Sequence, residues 1–233
     1  MMTNGTMTLG IGASYIGEGG YCKDEVDRSL FKKYGAFDMT PVYSEAEERI
    51  DDRYGDMLGS IGHADDVETA GGGRVVVIAD SVTLEGEGEK IQANARPYDD
   101  FSKRSYSLTG GSGGYIYVKT TNTYKENTID KESKISARGG YAIGDHAAGS
   151  GGVIVFDDNF HIPFRQVSAA GGVAEDQGKD GCNNGAAGTV FMVKNNTLVV
   201  DNNRTQTTSL TFVQVPNVTE DGAVPMVADK LYV

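Results

Sequence analysis

Four short segments of the chain share one arrangement of apolar and polar positions: "TAGGGRVVVIAD", "GGSGGYIYVKT", "GSGGVIVFDD" and "GAAGTVFMVKN". Aligned on Gly72-Gly73, Gly113-Gly114, Gly151-Gly152 and Ala187-Gly188, they carry Val75, Ile116, Ile154 and Val190 two positions later. Two further on stand Val77, Val118, Phe156 and Met192. The flanking positions are mixed, with Arg74, Tyr115, Val153 and Thr189 before and Ile78, Lys119, Asp157 and Val193 after. Extended chain alternates its side chains between faces, so apolar sites two apart predict a strand with one buried face. A second run follows each first: Ile91/Ala93 in "KIQANA", Ile135/Ala137 in "KISARGG", Val167/Ala169 in "RQVSAAGG" and Leu198/Val200 in "TLVVDN". Some units add a third apolar piece, at Val82-Leu84 or Ile129.

The second residues of the aligned pairs, 73, 114, 152 and 188, are spaced by 41, 38 and 36 residues, with almost no helical pattern between them. Strands in units this short cannot bury their faces alone, so the units must stack. A propeller blade competes at this spacing, but it needs four strands in meander order, whereas loops separate the pieces here. Residues of like type at equivalent sites predict an all-β fold: a right-handed parallel β-helix (solenoid) with long glycine-rich loops and little helix. The double glycines fit sharp corners that demand either positive φ or close backbone approach.

Three regions follow from this. Residues 1–70 are expected to hold a first coil and a long variable loop, 71–203 the repeat core, and 204–233 a C-terminal strand segment that is truncated. In the first region "SEAEERIDDRYGDML" could form one or two helical turns, with Ser44 as N-cap and Glu47 three residues on.

Composition narrows the class. The 233 residues include 32 glycines, 5 prolines and no tryptophan, yet no G-X-Y period exists, and the compact apolar runs argue against disorder. A net charge of −12 disfavours nucleic acid or an anionic membrane as partner. No apolar run is long enough for a transmembrane helix. The start, "MMTNGTMTLGIGAS", lacks the basic and apolar regions of a signal peptide, which suggests either a cytosolic protein or a piece of a longer one.

Candidate chemistry is sparse. No catalytic set and no metal site are expected: His63, His146 and His161 show no ligand spacing. No cofactor is expected; Ca²⁺ is the one ion that the acidic pairs Asp51-Asp52, Asp65-Asp66, Asp99-Asp100 and Asp157-Asp158 could hold, though no EF-hand or nonapeptide loop pattern surrounds them. Asp157, Asp158, His161 and Arg165 form the one compact group that resembles a glycan-cleaving cluster. Tyr117 and Phe191, at outward third positions, with Tyr115 nearby, could offer a stacking strip for sugars. Asn4, Asn195, Asn203 and Asn217 each begin an N-x-[ST] sequon and are candidate glycosylation sites.

The ordered set "GxGxSxxGxGGYC", "GGGRV", "GGSGGYIYV", "ISARGG", "SGGVIVF", "VSAAGG" and "GAAGTVFMV" followed by "NTLVVDN" resembles a glycine-rich repeat region of large extracellular and cell-surface proteins of plants, protists and bacteria. The resemblance runs from Leu9 to Val233, and its most specific piece is 185–202. It implies a secreted or surface-exposed β-helix-like module and brings no catalytic residues with it. "PVYSEAEERIDDRYGDMLGSIGHADD" stands where such regions carry denser glycine, so that loop is particular to this chain. In an extracellular chain the two cysteines, Cys22 and Cys182, could form one disulfide or remain two thiols.

The expected role is therefore a non-catalytic structural or interaction module, used as a rod, coat or adhesive element at the cell surface. Its expected partners are other extracellular chains or glycans, with end-to-end self-assembly as a further option. The alternatives are a polysaccharide-degrading β-helix enzyme and a carbohydrate-binding module without cleavage.

Overall fold

The computed structural model describes residues 19–20, 62–63, 68–96, 109–122, 124, 126–144, 146–158, 160–175, 182–209, 211 and 230–232. The strands, in chain order, are β1 (Gly62–His63), β2 (Glu68–Thr69), β3 (Arg74–Ala79), β4 (Thr83–Leu84), β5 (Gly88–Gln92), β6 (Tyr115–Thr120) and β7 (Thr128–Ile129). They continue with β8 (Ser133–Ser136), β9 (Val153–Asp158), β10 (Val167–Ser168), β11 (Thr189–Met192), β12 (Thr197–Val199) and β13 (Lys230–Tyr232). One 3-10 turn, Phe164–Gln166, is the sole helical element among them.

The register agrees with the alignment of the four segments. Val75 lies beside Ile116, Ile116 beside Ile154, and Ile154 beside Val190, all in parallel. The second runs pair likewise, Ile91 with Ile135 and Ile135 with Val167, and the third pieces pair as Leu84 with Ile129. One apolar core gathers Ile116, Val118, Ile154, Phe156, Val190 and Met192 from the first runs, with Ile135 and the alanines 93, 137 and 169 from the second. Phe156 stacks on Phe160 with ring centroids 5.1 Å apart, and Ile162 lies fully buried beside them.

The single parallel β-helix is overturned. The strands fall into separate sheets of mixed direction: a six-stranded sheet in the order β13-β12-β11-β9-β6-β3, a three-stranded sheet β10-β8-β5, and the pairs β4-β7 and β1-β2. Two pairings are antiparallel, β1 with β2 and β11 with β12. The second reversal has a local cause. Four turn residues, 193–196, join β11 to β12, closed by the Asn196 N–H donating to the Val193 carbonyl at 3.0 Å. Asn196 adopts φ 44°, which asparagine tolerates better than most residues. A connection this short returns the chain alongside the strand it has just left. Consequently "TLVVDN" is not a fourth member of the β10-β8-β5 sheet: Leu198 pairs with Phe191 and Val199 with Val190 in the main sheet.

The double glycines are explained by close approach rather than by positive φ, which among the described glycines occurs at Gly86, Gly88 and Gly144. A Cβ on Gly152 would sit 2.1 Å from the Gly114 carbonyl oxygen, and one on Gly188 would sit 1.8 Å from that of Gly152. The same glycines bind consecutive units through their amides: Gly114 N–H donates to Ala93 O at 2.8 Å, Gly152 to Ala137 at 2.8 Å, and Gly188 to Ala169 at 2.7 Å. Only a backbone without side chains at that column allows both contacts.

Candidate functional site

The alternation in the sequence predicts that the face of the main sheet opposite the core is exposed and carries an aromatic strip. It is not wet along most of its width. Tyr115 is 7% exposed, Tyr117 4% and Phe191 0%, and Val153, Val155 and Leu198 are buried with them. The strip Tyr115, Tyr117 and Phe191 therefore cannot present ring faces to a sugar. The physical reason is that β6, β9 and β11 are covered on both sides, as parallel strands commonly are. Water reaches this face at β3, where Val76 is 42% and Ile78 58% exposed.

The acidic-basic group is spread along two elements. Asp157 and Asp158 close β9, where they register with Lys119 and Thr120 of β6. His161 is exposed in the loop after β9, and Arg165 is exposed within the 3-10 turn. Among the described residues no hydrogen bond or ion pair joins His161 to Arg165, and no three His, Cys, Asp or Glu side chains come together as ligands for a metal. No helix among them is long and apolar enough to cross a membrane.

The sequons divide between described and undescribed positions. Asn195 is exposed on the β11–β12 turn, with Thr197 Oγ1 donating to the Asn195 carbonyl at 3.0 Å. Asn203 is exposed, and its Nδ2 donates to Ser168 Oγ at 2.9 Å. Asn4 and Asn217 lie outside the described residues. Cys182 is disulfide-bonded and packs against Ala142, Ala147, Ala148 and Ala174 in a second, small core. Cys22, the other cysteine of the chain, lies outside the described residues.

Polar side chains that sequence reasoning passed over hold the loops together. Asn94 sits between two units: its Oδ1 accepts from the Arg138 N–H at 2.7 Å, and its Nδ2 donates to Glu89 Oε2 and Ser136 Oγ, each at 2.9 Å. Arg138 completes this cluster with an ion pair to Glu89. Gln166, buried, donates to the carbonyls of Asp130 and Ser133, both at 2.7 Å. Asn184 accepts from the Ala174 N–H at 2.8 Å and donates to Gln206 O at 2.7 Å. Asn202 accepts from the Gly171 N–H at 2.7 Å and donates to Gly185 O at 3.1 Å. Gln166 and Asn184 are buried and Asn94 and Asn202 half-buried; a covered amide that loses its partner is costly, so each of these side chains fixes a loop. Asn184 alone of these stands next to a glycine in the sequence, so no shared local signal marks them or says which backbone group will be bound.

Comparison with known proteins adds no family. No protein-family profile, curated protein or solved structure matches this chain.

Proposed function

We propose that the chain is a non-catalytic structural or interaction module of an extracellular or cell-surface protein, engaging other extracellular chains or glycans. One observation carries this reading: Cys182 is disulfide-bonded, and structural disulfides persist in oxidising compartments. The exposed sequons at Asn195 and Asn203 agree with it, because glycan attachment needs an accessible loop in a secreted chain. So does the use of buried and half-buried polar side chains as loop fasteners, and so does the resemblance to glycine-rich repeat regions of surface proteins.

Expression through a eukaryotic secretory pathway tests the reading. The secreted protein should lose mass on glycosidase treatment, with a smaller loss in Asn195→Gln, and Cys182 should resist alkylation until reduced. A free Cys182 thiol and bare asparagines in protein from its natural source would overturn the assignment. Incubation with acidic and neutral polysaccharides should yield no shortened chains. Cleavage that disappears in Asp157→Ala would refute the non-catalytic part.

A further inference from the structure

Among the described residues β3, β4 and β5 are outer strands of their sheets, and two of them are protected in the ways edges commonly are. β4 has two residues. β5 carries Glu89 and Lys90 and shifts register between Glu89 and Ile91. β3 has neither defence: six residues long, it holds no charge between Arg74 and Asp80 and no break in its pairing with β6. Among the described residues it pairs with β6 alone. Its peptide groups alternate, with Gly73 O accepting from Tyr115 N–H at 3.1 Å and Ala79 O from Thr121 N–H at 2.9 Å. By that alternation the peptide groups of Val76 and Ile78 face the open edge.

Gly73 gives a second, independent sign. Its equivalents Gly114, Gly152 and Gly188 are each blocked by a carbonyl of the preceding unit, at 1.9, 2.1 and 1.8 Å from a built Cβ. Among the described residues a Cβ on Gly73 would meet nothing within 4 Å, and its φ is not positive. The described residues give no packing or conformational reason for glycine there. A further backbone laid against β3 would.

We infer that β3 is the docking edge for a second copy of this chain, paired antiparallel about a two-fold axis through Val77. The strand is complementary to itself in that register. Val76 lies beside the second copy's Ile78, joining the two exposed apolar side chains of β3, and both sit at the peptide groups that face outward. Arg74 lies opposite the second copy's Asp80, twice by symmetry. Centring the axis on Val76 would instead set Arg74 against Ile78 and Asp80 against Gly72, so neither charge would face its opposite. The inference deepens the reading of a structural module and rests on it only for its purpose.

Sedimentation velocity over a concentration series, with the intact chain, should show a reversible monomer–dimer equilibrium. Val76→Lys, and separately Ile78→Lys, should weaken association about tenfold or more. Arg74→Asp and Asp80→Arg should each be monomeric alone, because like charges then face each other. Mixed together, these two variants should form a heterodimer, since each supplies the charge the other lacks; that rescue also shows both are folded. Hydrogen exchange should slow at the amides of Val76 and Ile78 as concentration rises. A protein that stays monomeric throughout, a dimer indifferent to Val76→Lys, or a mixture that does not reassociate would overturn the inference. None of these results bears on secretion or glycan attachment, so the two readings fail separately.

Discussion

Replacing one glycine of the corner column by alanine should have opposite effects at its middle and at its end. In Gly152→Ala the new methyl would lie 2.1 Å from the Gly114 oxygen, against the 3.4 Å at which ordinary contact begins. Neither atom can turn away, since both belong to backbone. That same oxygen accepts from the Val153 N–H at 2.9 Å, and the Gly152 N–H donates to Ala137 O at 2.8 Å. Parting the strands therefore stretches two buried hydrogen bonds. Overpacking costs about 1–3 kcal/mol and a buried unmade bond about as much again, so a loss of about 2–5 kcal/mol is expected. Gly73→Ala meets open space at an ordinary φ, and restricting the unfolded chain should stabilise the monomer by about 0.4–1 kcal/mol. Equilibrium unfolding in urea at low protein concentration measures both, provided the slope m is unchanged. Equal losses at the two positions, or a Gly152→Ala variant within about 0.5 kcal/mol of the parent, would show that close approach does not select glycine here.

Ile154→Ala, at a fully buried site in the centre of the core, should cost about 2–5 kcal/mol, while Ile78→Ala on the exposed face should stay within about 0.5 kcal/mol, both by denaturant unfolding. Asn94→Ala should cost about 1–3 kcal/mol by leaving the Arg138 N–H without its acceptor, and Asn94→Asp should not recover the loss, because it keeps that acceptor but sets a second carboxylate against Glu89 Oε2. A non-reducing digest should join the Cys182 peptide to that of Cys22, 160 residues away. Reduction should then lower stability by about 3–5 kcal/mol, and an unchanged unfolding midpoint would refute that.

The alignment of apolar positions carried over to the pairing of β3, β6, β9 and β11 because a buried face imposes a period of two, and a slip of one residue would turn that face to water. Three features escaped it. The reversal at 193–196 depends on how few residues separate two strands, and the like composition of "TLVVDN" and the earlier second runs concealed it. The covered outer face was legible in principle: "YIYV", "VIVF" and "VFMV" are unbroken apolar runs, which mark strands buried on both sides. Reading only their alternate positions made Tyr117 and Phe191 look exposed. The loop fasteners Asn94, Asn184, Asn202 and Gln166 find partners up to 44 residues away, and no local pattern encodes such a distance.

The unequal lengths of the units, set beside their constant register, say where this chain tolerates change. From Gln92 to Tyr115, from Ser136 to Val153 and from Ser168 to Thr189 the connections differ in length, yet the strands they deliver meet residue for residue. Lengthening a flexible connection costs little, since the entropy of closing it grows only with the logarithm of its size. A single residue inserted inside β6 or β9 would invert which side chains enter the core. Variation in recognition can therefore accumulate in the connections while the strands stay invariant, and a foreign binding sequence grafted into one of them should leave the scaffold intact.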